Sequence, residues 1–166
     1  MYPRHAHATL VRLARVFPVL ALTGPRQSGK TTLARASFPE KPYVSLENPD
    51  EGDFAEQGPK RFLARFPEGA ILDEVQRCPG LLSWLQGVVD ERPVMGQFVL
   101  TGSAQFDLIA GMSQSLAGRV GRVELLPLSL GEMQGAGLST TLDRLLGQCR
   151  ARDRCGVRDS RGFAGG

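Results

Sequence analysis

The plainest chemistry in this chain is carried by nine residues, GPRQSGKTT, Gly24 to Thr32, which directly follow the apolar run VFPVLALT. Gly24, Gly29, Lys30 and Thr31 fall at the spacing G-x-x-x-x-G-K-[ST], in which backbone N–H groups of a glycine-rich turn surround an anion. The glycines accept φ values and a closeness of approach that a Cβ would forbid. A lysine at this point neutralises terminal phosphates, and the next hydroxyl offers an oxygen to Mg²⁺. Pro25, Gln27 and Ser28 complete the loop, and Thr32 is placed to meet the innermost phosphate. Arg26 admits two readings, a further phosphate contact or a solvent-facing cation.

A second set of residues supplies what a phosphate cradle alone lacks. AILDE is an apolar strand ending in two acids, which puts Asp73 where a metal ion would sit and leaves Glu74 to orient or deprotonate a water. FVLTGS ends a further strand with Thr101 and Ser103, hydroxyls that either position the attacking water or cap a loop. SQSLAGRVGR offers Arg119 and Arg122. Either could stabilise charge on a transferred phosphoryl group, in cis or from a neighbouring subunit, or be a surface cation. The acid pair together with the lack of an NKxD sequence favours ATP over GTP.

These residues need a scaffold, and the apolar pattern provides one. Leu10, Leu13 and Ala14 predict an amphipathic helix ending near Pro18, followed by a strand over residues 19–23. KTTLARASF predicts a helix closed by Pro39, and Tyr43 to Leu46 a second strand. ENPDEG reads as a turn, with short helices around DEGDFAEQ and PKRFLARF. Strands are expected near 70–72, 97–101 and 122–125, with a helix from PGLLSWLQGVVDER packing through Leu81, Leu82, Leu85 and Val88. Trp84 is expected in the core. DLIAGMSQSLAG reads as a short helix and loop. Strands alternating with helices predict an α/β fold, a mostly parallel five-stranded sheet with helices on both faces.

Bulk properties narrow the function classes. The chain of 166 residues has ordinary globular composition, 42% hydrophobic and 22% charged, so one folded domain is expected. No apolar run approaches the roughly 20 residues of a membrane span, and Arg12 and Arg15 interrupt the one stretch that resembles a secretory leader. Three cysteines without C-x-x-C spacing fit reduced thiols in the cytoplasm. His5 and His7 lack a third ligand nearby, and Cys78 reads as a free thiol. The basic pI of 9.0 does not mark a nucleic-acid surface. Residues 135–166 hold six Arg against three Asp, leaving fourteen charges of each sign in the rest. That tail has one plausible helix, Thr141 to Cys149, and otherwise reads as poorly ordered.

The series GPRQSGKTT, VSLENPD, ILDEVQRCPGLL, QFVLTGSAQF, SQSLAGRV and ELLPLSLGE resembles the prokaryotic AAA-type ATPases whose phosphate loop reads GPRQ-x-GKTT. The resemblance covers about residues 4–134 and sets the expected boundary between a P-loop ATPase core, 1–134, and an atypical tail, 135–166. It implies ATP and Mg²⁺ binding, ATP hydrolysis, and a first motif strand in the middle of the sheet. It assigns Lys30 and Thr31 to phosphate and metal, Asp73 and Glu74 to the second acidic motif, Thr101 to Ser103 to the polar strand end, and Arg119 to the SLAGR arginine. Members of the family continue into a C-terminal domain that this sequence is expected to lack, as a truncated or frame-shifted chain would. Three functions follow as expectations: an ATPase, a nucleotide-binding protein without turnover that needs an arginine in trans from a homo-oligomer or the missing domain, or a small-molecule phosphotransferase.

Overall fold

In a computed structural model of the protein, residues 5–103 and 114–127 are described. Five strands form one sheet: β1 Val19–Gly24, β2 Tyr43–Ser45, β3 Ile71–Asp73, β4 Phe98–Ser103 and β5 Val120–Glu124. Their order is β2-β3-β4-β1-β5, and every pairing is parallel. The helices are α1 His5–Leu13, α2 Lys30–Ser37, α3 Pro49–Gln57, α4 Pro59–Ala64 and α5 Leu81–Glu91, with a single 3₁₀ turn at Val75–Arg77. Among the described residues no helix is long and apolar enough to cross a membrane. The expected helix Thr141 to Cys149, the tail and most of DLIAGMSQSLAG lie outside the described residues.

A parallel sheet is buried on both faces, so its strands need apolar side chains in both directions. β1 shows the pattern residue by residue. Val19 and Ala21 join one core with Phe98 and Leu100 of β4, while Leu20 and Leu22 join the other with Val99. α1 and α2 cover the second face through Leu10, Leu33 and Ala34. α3, α4 and α5 cover the first through Ala55, Phe62, Leu63 and Leu85. The two-faced α/β architecture is the one expected. β1, however, is one place from the edge of the sheet, and β4 takes the centre.

Local differences from expectation have local causes. ENPDEG is the start of a helix: the Asn48 side chain accepts the Asp50 N–H at 3.1 Å and Pro49 occupies the first turn, where its missing N–H costs nothing. α1 stops at Leu13, short of Pro18. β4 runs on to Ser103 and β5 begins at Val120, each because the register with β1 lets the ladder continue. Trp84 is not core; it is 49% exposed. At about 100° per residue, Leu81, Leu82, Leu85 and Val89 share one side of α5, and position 84 points more than about 100° away from their centre. Val88 is packed only in part, and Val89 takes the buried place.

The two neighbours on α5 therefore have different costs. Leu85→Ala should destabilise by about 2–5 kcal/mol in urea unfolding, the usual range for a fully buried leucine. Trp84→Ala should cost less than half as much.

Candidate functional site

β1 delivers the chain into the loop at Gly24, whose φ is +152°. A Cβ there would lie 2.2 Å from the Leu125 carbonyl oxygen, so no other residue fits against the exit of β5. Leu125 N–H in turn donates to the Thr23 carbonyl at 2.7 Å, which fastens that exit to the end of β1. Gln27 (φ 61°) and Gly29 (φ 86°) are left-handed, and the Ser28 N–H between them donates to the Pro25 carbonyl at 3.4 Å, closing the turn before α2 begins at Lys30. The helix start adds its unpaired N–H groups and the positive end of its dipole to the loop. Lys30 is 5% exposed, and its Nζ donates to the carbonyls of Gly24 at 3.1 Å and Pro25 at 2.7 Å. The lysine thus clasps the loop that surrounds it.

Opposite the loop, β3 ends in Asp73, which is 6% exposed. A carboxylate removed from water needs donors, and it has three hydroxyls. Thr31 Oγ1 donates to both carboxylate oxygens, at 3.0 and 3.1 Å. Tyr43 on β2 donates to Oδ2 at 2.8 Å, and Thr101 on β4 donates to Oδ1. Burial, then the bond to Asp73 and its charge, raise the Tyr43 hydroxyl above the ordinary phenol pKa. Glu74 has φ 57° and ψ 44°, a left-handed conformation uncommon for a residue with a side chain. That twist breaks the strand and turns Glu74 into a cavity, where the Gln76 amide donates to its Oε2.

The cavity has a volume of about 570 Å³ and is lined by Arg26, Gln27, Gly29, Lys30, Thr31, Thr32, Glu47 and Glu74. The fold therefore brings most of the residues singled out in the sequence to one place. Ser28 is buried in the loop, and Ser103 ends β4 in register with Gly24. Thr101 faces Asp73 directly, so its hydroxyl holds the acid.

Arg119 is not brought there. It precedes β5 at the opposite end of the sheet, where its carbonyl accepts the Val19 N–H, roughly 16 Å of strand from Gly24. Its guanidinium is engaged by Asp90 at 2.5 and 2.9 Å and by the Ala117 carbonyl at 2.9 Å. Arg122 lies on β5 with Nε 3.4 Å from the Thr23 hydroxyl. Sequence reasoning overlooked Glu47, Tyr43 and Gln76. Glu47 sits within VSLENPD, and Gln76 within ILDEVQR, but nothing in their spacing marks them as lining or supporting residues.

The oxygens of Thr31 and Asp73 are hard donors of the kind magnesium takes, and they stand beside an anion-binding loop. A family model described as an AAA domain matches residues 16–134, a span that takes in the loop, the acid pair and all five strands. The chain belongs to the AAA domain family. This AAA domain is 43% identical over 144 residues to uncharacterized proteins of Mycobacterium bovis and Mycobacterium tuberculosis, covering 86% of the chain and 32% of each relative. The chain spans about a third of the length of the curated relatives it matches. A Walker-type ATPase of Pyrococcus abyssi shares the P-loop fold, with a TM-score of 0.55 and 18% identity over 80% of this chain and 55% of that one. The AAA domain is thus an α/β P-loop fold of a nucleotide-binding family.

The left-handed backbone at Glu74 has a stability signature. Glu74→Gly should leave the AAA domain as stable as the parent or more so, by up to about 1 kcal/mol in urea unfolding, because glycine adopts this conformation freely. An ordinary backbone at that position would instead make the same glycine destabilising.

Proposed function

We propose that this chain binds ATP together with Mg²⁺ and hydrolyses it, with residues 1–134 as the ATPase core, working in the cytoplasm. One observation carries the reading: Thr31, at the edge of the cavity, bonds to the buried Asp73 while Lys30 and Glu74 line the same cavity. Phosphate, metal and water chemistry need groups of these kinds within reach of one another. The backbone N–H groups of the loop other than that of Pro25, which has none, and those at the start of α2 bind the phosphates. Lys30 compensates their charge, with Arg26 as a second cation on the wall. Thr31 and Asp73 would hold the magnesium, which when bound supplies charge neutralisation between phosphates.

Glu74 accepts the proton of the attacking water, and Gln76 holds its carboxylate ready. Thr101 fixes Asp73, and Ser103 stands at the strand end where a water-positioning hydroxyl is needed. Catalysis of this kind rests on positioning and electrostatics, so rigid placement of a few groups is sufficient. ATP is the preferred nucleotide because the acid pair accompanies the loop and no NKxD sequence is present.

A second reading is favoured by Arg119, which is tied to Asp90 far from the cavity. On that reading a single chain binds nucleotide without turnover, and an arginine arrives in trans from another copy in a homo-oligomer. Turnover per chain should then rise with protein concentration, whereas an ATPase complete in one chain gives a constant value.

Lys30→Ala should weaken ATP binding about 100-fold or more, read by equilibrium titration, since charge-assisted contacts to phosphate are lost. Retention of tight binding would overturn the site. Glu74→Gln should keep binding within about threefold and lower phosphate release by about 10²–10⁴, the span of general-base catalysis.

A further inference from the structure

Tyr43 belongs to neither the phosphate loop nor the acid pair, yet it is tied to Asp73 and to the helix that follows the loop. Its hydroxyl donates to Asp73 Oδ2 at 2.8 Å from the edge strand β2. Its ring lies beneath the Arg35 guanidinium, 4.9 Å from the centroid, and Arg35 is carried by α2, the helix that also carries Lys30 and Thr31. The two Asp73 oxygens are not equally supported. Oδ1 accepts from both Thr31 and Thr101. Oδ2 receives the Tyr43 hydroxyl and the longer arm, 3.1 Å, of the forked Thr31 bond. A forked bond divides one proton between two acceptors, so Tyr43 is the one undivided donor to Oδ2 among the described contacts.

We propose that Tyr43 is a positioning residue for the metal: from outside the site's sequence motifs it fixes the plane of the Asp73 carboxylate and, through Arg35, the distance between that acid and α2. The proposal rests on the reading of the cavity as a magnesium–nucleotide site. Carboxylates that ligate metals depend on such outer partners, and loss of one typically lowers metal affinity by about 10–100-fold. Tyr43 is 36% exposed, so removing its hydroxyl opens no core cavity. Tyr43→Phe keeps the ring beneath Arg35 and removes the bond to Asp73 together with the hydroxyl's contact with Ser45.

The test is binding of a fluorescent ATP analogue to the full chain, once with a chelator present and once across a Mg²⁺ titration. Tyr43→Phe should raise the Mg²⁺ concentration at half-effect by at least about tenfold and leave the chelator Kd within about twofold of the parent. In an Asp73→Asn background the same substitution should add no further shift, because Tyr43 acts through that carboxylate. A general structural role predicts instead equal weakening with and without Mg²⁺, accompanied by a lower Tm, and that result overturns the proposal. So does an unchanged Mg²⁺ midpoint, or a shift that persists beside Asp73→Asn. A parent chain whose analogue binding ignores Mg²⁺ overturns the metal-site reading and this assignment together, whereas a parent with ordinary Mg²⁺ dependence and an unaffected Tyr43→Phe overturns this assignment alone.

Discussion

Asp73 is a carboxylate taken almost entirely out of water, and isolated burial of that charge would cost several kcal/mol. Three hydroxyls from three separate elements offset the cost: Thr31 on α2, Tyr43 on β2 and Thr101 on β4. None of the three is near Asp73 in sequence. The acid can be buried with its oxygens satisfied only when α2 lies over the sheet and β3 lies between β2 and β4. That dependence makes the strand order itself part of the site.

The order also separates two opposite electrostatic tasks. The loop after β1 gathers N–H groups, a helix start and Lys30, and so attracts negative charge. The end of β3 presents oxygens and attracts positive charge. β4 is inserted between the two strands, and its Thr101 hydroxyl reaches the acid from the ground between. Thr31 bridges the two fields, since it lies in the first turn of the helix of one and bonds to the acid of the other.

The sequence was most legible where chemistry and local pattern coincide. The loop residues, the acid pair and all five strands were visible because glycine turns, apolar strands and helix starts each leave a signal within a few residues. Asn48 and Pro49 were misread because the same residues serve turns and helix caps, and only the helical φ/ψ that follow decide between them. Trp84 was misread because an aromatic beside three leucines looks internal until the direction of the stripe is fixed by Val89. Arg119 and Tyr43 are the more instructive pair. Which end of the sheet a residue occupies, and which carboxylate its side chain can reach, are set by strand register over long sequence separations, and no short motif contains that information.

The fit of Gly24 against the Leu125 carbonyl has a mechanical meaning. The first glycine of the phosphate loop and the backbone leaving β5 are in direct steric contact, with no side chain between them to act as a cushion, and the bond from Leu125 to Thr23 prevents the two from parting. A loop that tightens around an anion therefore works directly against the Leu125 backbone, and the end of β5 forms one wall of the phosphate loop's own hinge.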